Sequence, residues 1–144
     1  MKKAFILGVF TAMMIAMVSF SSCSKNDGDG GGGGSSKVSP PSWIRGSWGV
    51  EGYEVFKFTS DDVFLLGESL KAMTIVSASG SITLKETKNT SSAYEIILTA
   101  KSSGEKAAAI FSFKKGDGTY IDAASNEEGG TVSADDYERL DKIN

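Results

Sequence analysis

Two neighbouring segments, AYEIILTA (93–100) and KAAAIFSFKK (106–115), place large apolar side chains at every second residue. A helix brings a side chain back to the same face after three or four residues, whereas an extended strand does so after two. Tyr94, Ile96 and Leu98 therefore share one face of a strand, and Phe111 and Phe113 share one face of the next. The same period links Phe56 with Phe58 in YEVFKFT (53–59), and Ile82 with Leu84 in SITLKE (81–86). Charged residues such as Glu54, Lys57, Lys85, Glu95 and Lys101 fall mostly on the opposite side. GSWGVE (46–51), VFLL (63–66), TIVSA (74–78), TYIDA (119–123) and DYERL (136–140) read as further strands. GESLKAM (67–73) is predicted to form a turn of helix. Turn residues separate these runs: Gly52, SDD, the polar TKNTSS, KSSGE, and a GDG whose Asp-Gly pair marks a tight hairpin. About eight strands spaced roughly ten residues apart predict an all-β domain. The expected architecture is a small antiparallel up-and-down β-barrel, with a β-sandwich as the alternative.

The N-terminal third obeys a different grammar. Lys2 and Lys3 precede an apolar run over residues 4–20, broken only by Gly8, Thr11 and Ser19. A basic start, a short apolar segment and small residues at its end make a secretory signal. The run is shorter than the ~20 residues that a spanning helix needs. Ser21 and Ser22 sit directly before Cys23, the only cysteine of the chain, and this segment resembles the lipobox of bacterial lipoproteins. The resemblance implies removal of residues 1–22 and acylation of Cys23, with the protein held on the lipid bilayer. A cysteine with no disulfide partner fits that use. The following Ser-Lys-Asn-Asp-Gly-Asp (24–29) resembles the short acidic export signal of surface lipoproteins in the Bacteroidota. It implies an outer-membrane protein facing outward. Its alternating carboxylates lack the closing Glu of a calcium loop. The glycine-serine run that follows reads as a flexible tether, so 23–42 is predicted to be linker and 43–144 to be the folded domain.

Charge and composition exclude several functions. Loss of Lys2 and Lys3 leaves 13 basic against 18 acidic residues, a net charge of −5, and a field of that sign does not favour nucleic acid. The chain contains no histidine. Together with a single, lipidated cysteine, this rules out Ser-His and Cys-His nucleophile pairs and zinc sites built from His and Cys. No phosphate-binding glycine motif is present, and neither a cofactor nor a metal is expected. The acid pairs Asp61/Asp62, Glu127/Glu128 and Asp135/Asp136 lie in turns, where they read as solubilising groups. Asn89-Thr90-Ser91 matches a glycosylation sequon and reads as an ordinary loop. The chain is not expected to be an enzyme.

Gly46-Ser47-Trp48 at the first strand and Arg139 in the last strand resemble the closure motif of the calycin, or lipocalin-like, barrels. That resemblance implies Arg139 packed across Trp48 at the lower end of the barrel. It also implies a ligand held in the open end, for which Tyr53, Phe64, Tyr94 and Tyr120 are the candidate lining residues. Ala107, Ala108 and Ala109 are small where a barrel corner turns, or where a cavity needs room. The expected function is a binding module for a small apolar molecule or glycan. The alternative is an interaction or inhibitor protein that meets a partner protein through its surface, supported by the tether and the acidic loop NEEGG (126–130).

Overall fold

The computed structural model describes residues 37–77, 80–102, 104–126 and 130–144. The signal segment, Cys23 and the glycine tract lie outside the described residues, as do Glu127 and Glu128. Ten strands form one sheet: β1 (Gly46–Val50), β2 (Tyr53–Phe58), β3 (Val63–Leu65), β4 (Glu68–Ser69), β5 (Ile75–Ser77), β6 (Gly80–Asn89), β7 (Ala93–Ser102), β8 (Glu105–Lys115), β9 (Tyr120–Asn126) and β10 (Glu138–Ile143). Short 3-10 turns cover Ser42–Ile44 and Ala134–Asp136.

The strand order is β4-β3-β2-β1-β10-β9-β8-β7-β6-β5, and the described pairings are antiparallel. Each strand therefore lies beside its sequence neighbour, with two exceptions. The terminal strands β1 and β10 pair, and β4 and β5 are the two edges. This is an up-and-down meander curled into a half-barrel with one open seam, and the single sheet displaces the sandwich alternative. Ten strands stand where about eight were expected; β5 falls within the expected TIVSA run, whereas the very short β4 beside the seam was not expected. β4 and the turn after it also replace the predicted turn of helix. The last strand begins later than DYERL implied: Ala134, Asp135 and Asp136 form a 3-10 turn with Ser133 and Asp136 as its capping box.

Period two decides the core. Phe56, Phe58, Tyr94, Ile96, Phe111, Phe113, Ile121, Ala123 and Leu140 are all buried on the concave face. Four rings form its centre. Phe113 meets Phe56 and Phe58 edge-on at 5.0 and 4.9 Å, and Phe58 meets Tyr94 edge-on at 6.2 Å. Such pairs contribute ~0.5–1.5 kcal/mol each beyond their buried area. On the convex face, Ser112 and Ala124 pair across β8 and β9 and are nevertheless buried. The β9–β10 connection accounts for this, because the Tyr137 hydroxyl hydrogen-bonds Ser112 at 2.8 Å and its ring lies 3.7 Å under Lys114 Nζ.

The two ends of the half-barrel differ. At the base, the chain before β1 folds across the opening. Val38, Pro40 and Ile44 are buried there. The Glu86 carboxylate accepts from Ser39 N–H at 2.9 Å and from Asn89 Nδ2 at 3.0 Å. Asn89 Nδ2 also donates to the Ser39 carbonyl, and Trp43 Nε1 to that of Thr90. Residues 37–42 therefore belong to the domain, and the expected boundary at 43 is corrected. The sequence scan assigned them to the linker by composition, yet two apolar side chains and an Arg45-bound Pro40 carbonyl suffice to hold them. The opposite end carries the β1–β2, β3–β4 and β7–β8 turns and is termed the mouth.

Candidate functional site

Closure at the base involves Trp48 but not Arg139. Trp48 is 1% exposed, and its Nε1 donates to the Ile44 carbonyl at 2.6 Å, which locks the ring onto the plug. Its cross-strand partner in β10 is Lys142, whose Nζ stands 5.8 Å from the ring centroid. Arg139 instead stacks 4.1 Å over Tyr120 and pairs with Asp141 at 2.9 Å, on the solvent side. Strand parity explains the exchange. Leu140 points into the core, so Arg139 one residue away points out, while Lys142 two residues away returns to the Trp48 side. Gly46 begins β1 with φ of 122°, in the region that favours glycine. The expected Trp48–Arg139 pair is corrected to Trp48–Lys142.

The four aromatic residues expected to line a ligand site are dispersed. Tyr53 is 77% exposed beside the β1–β2 turn. Phe64 lies between the buried Val63 and Leu65, so it faces outward, with Lys57 Nζ at 5.9 Å. Tyr120 is turned outward beneath Arg139 in the same way. Tyr94 is fully buried near the base, and its hydroxyl has no hydrogen-bond partner. Burial, and then the Glu86 charge nearby, push the Tyr94 phenol far above its ordinary range.

A different set of residues surrounds the mouth. Val50, Leu66, Leu98 and Ala109 are half-buried there and pack against the core; Met73, also half-buried, follows β4 beside the β2–β3 turn at the other end. Leu98 pairs with Leu84 on one side and Ala109 on the other. The next rung outward is Ile82, Ala100 and Ala107, and then Gly80, Ser102 and Glu105. Along β7 the concave side chains shrink from Leu98 to Ala100 and Ser102 toward the mouth, whereas aromatic rings fill the base. Ala107 and Ala109 face this interior, whereas Ala108 faces outward. Glu105 and Glu138 share the concave parity, and their charge disfavours an anionic ligand. Two mouth residues other than glycine, Glu51 and Leu66, hold left-handed backbones with φ of 53°. Such strain costs ~1–3 kcal/mol and gathers where a turn is over-determined. The alternation in sequence carried the signal for Leu98 and Ala109. Val50 and Leu66 adjoin turns, and only the curl of the sheet brings them to one rim.

The Asp61/Asp62 pair serves the scaffold. One Asp62 oxygen accepts from Val63 N–H and Lys71 N–H, and the other bonds the Ser69 hydroxyl. This ties the β2–β3 turn to the residues after β4. Lys71 pairs with Asp61 at 2.9 Å and holds that carboxyl below its ordinary value. Among the described residues, no group of three or more His, Cys, Asp or Glu could hold a metal ion, and no helix is long and apolar enough to cross a membrane. No family model, curated protein or solved structure matches the chain.

Proposed function

We propose that the chain is a lipid-anchored surface lipoprotein of the bacterial outer membrane whose domain is a non-catalytic binding module. Its ligand is a small apolar molecule, or the apolar face of a glycan, taken at the mouth. One observation carries the reading: the base is plugged by Val38, Pro40, Ile44 and Trp48, while Val50, Leu66, Leu98 and Ala109 stay half-buried at the other end. Apolar side chains left half-solvated around a concavity gain from covering by ~25 cal/mol per Å² of apolar surface. The up-and-down meander and the Gly46-Ser47-Trp48 start of its first strand support the reading, although the arginine closure of a calycin barrel is lost.

An apolar fluorescent probe such as 1-anilinonaphthalene-8-sulfonate is a poor test here, because it is anionic. A neutral naphthylamine probe is the appropriate choice. It should bind the wild-type chain, and Ala109→Phe, which fills the mouth, should abolish binding while leaving the melting transition cooperative. Equal binding by both forms would refute the mouth as the site. Membrane anchoring is tested separately: Cys23→Ala should move the protein from the detergent phase to the aqueous phase.

The second reading, contact with a partner protein, is favoured by Tyr53. It is the exposed large hydrophobic residue among those described, and tyrosine is enriched among residues that dominate protein interfaces. Loss of a partner on Tyr53→Ala with unchanged probe binding would favour this reading.

A further inference from the structure

The convex face of β6, β7 and β8 breaks the alternation that governs the rest of the sheet. Ile97 and Ile110 are cross-strand partners on that face, and both are only partly buried. Ala108 and Thr99 form the next rung toward the mouth, with Thr83 beside them. Lys85 flanks Ile97, and Lys101 and Lys106 pair directly across β7 and β8, all three exposed. From the Lys85–Ile97–Ile110 rung to the Ser81–Lys101–Lys106 rung, these three strands turn no acidic side chain outward. Like charges set directly opposite in a sheet repel. An acidic chain nevertheless sets three lysines here around an apolar centre, with Glu95 on the next rung facing Lys88.

We infer that this face seats on an anionic lipid surface, with Ile97, Ala108 and Ile110 against the headgroup boundary and Lys85, Lys101 and Lys106 reaching the phosphates. Lysine stems lie along apolar surface while their ammonium groups reach outward, which suits a flat, charged, partly apolar partner. Each lysine near an anionic bilayer strengthens attachment about fivefold. The chain outside the structure supplies the proximity. Residues 24–36 separate Cys23 from Lys37. A chain of that length reaches at most ~45 Å, so the domain cannot leave the bilayer's neighbourhood. This part of the argument rests on the anchor reading.

The test uses the full lipidated protein carrying Ala108→Cys, labelled with an environment-sensitive fluorophore while Cys23 is blocked by its acyl chains. In vesicles containing phosphatidylglycerol the emission should shift to the blue. In purely zwitterionic vesicles it should not. About 1 M salt, where the Debye length is ~3 Å, should reverse the shift. Lys101→Glu with Lys106→Glu should lower the docked-to-free ratio roughly 25-fold or more. The charge-reversed protein should still float with both kinds of vesicle and melt no lower than its parent. Identical emission in the two vesicle types, or a shift that survives the charge reversal, overturns the inference. A shift that grows with protein density in both types assigns the face to a second copy and also overturns it. If the protein fails to float with zwitterionic vesicles, the anchor reading alone has failed. A salt-sensitive blue shift when phosphatidylglycerol vesicles are added to the free protein still decides the face.

Discussion

Tyr94→Phe removes one oxygen from the centre of the core and should stabilise the protein. The Tyr94 side chain is fully buried, its hydroxyl lacks a partner, and its ring contacts with Phe58 and Phe113 do not involve the oxygen. A buried polar group left unsatisfied forfeits the hydrogen bond to water that it makes when unfolded, at a cost of ~1–3 kcal/mol. Phenylalanine keeps the ring and does not incur that cost. A gain of ~1–2 kcal/mol is expected, which is about 4–8 °C per kcal/mol in Tm for a domain of this size. Urea unfolding followed by tryptophan fluorescence measures it, with an unchanged m-value showing that both folded states bury the same surface. The pH dependence gives an independent arm. The phenol pKa is raised in the folded state from the ordinary 10.0. Below pH 10 both states hold the proton and the pKa difference changes nothing. Above it the unfolded state loses the proton first, so stability falls as pH rises. Tyr94→Phe should flatten that alkaline slope. A loss of ~1 kcal/mol or more at neutral pH would refute the reasoning, since it would mean that the hydroxyl makes a stabilising bond.

Three further outcomes follow from the packing. Trp48→Ala should cost ~3–5 kcal/mol; a double-mutant cycle should couple Trp48 to Lys142 by ~0.5–1 kcal/mol, while Arg139→Ala leaves stability near the parent and adds independently, and coupling to Arg139 instead would invalidate the β10 parity. Val38→Ala should cost ~1.5–2.5 kcal/mol for two buried methyl groups and the space they leave, and a cost near zero in thermal melts would return residues 37–42 to the tether. Gly49→Ala should cost at least ~3 kcal/mol or prevent folding, because its Cβ would stand 1.8 Å from the Tyr53 carbonyl oxygen at the β1–β2 bulge; a variant that melts like its parent contradicts that register.

Each strand that carries a large apolar residue at every second place was legible before any coordinates, because burial of one face is a local property of period two. Phe56, Phe58, Tyr94, Ile96, Phe111 and Phe113 needed nothing else to be assigned to one core. The polar and short segments were not legible in that way. β4 is defined by what lies beside it, and the plug over residues 37–42 carries too few apolar side chains to announce itself. The functional candidates failed for a related reason. An aromatic residue is equally ready to face inward or outward, so Phe64 and Tyr120 were assignable only once Val63, Leu65 and Ile121 had claimed the interior. The Arg139 assignment failed by a single residue, which in a strand is a whole face. Composition and local pattern determined that the folded part of this chain is all-β. Which residues close its base, which stay half-covered at its mouth, and which lysines gather on its back depend on strand register and sheet curvature. Both are set by contacts between residues far apart in the chain, and no window of sequence contains them.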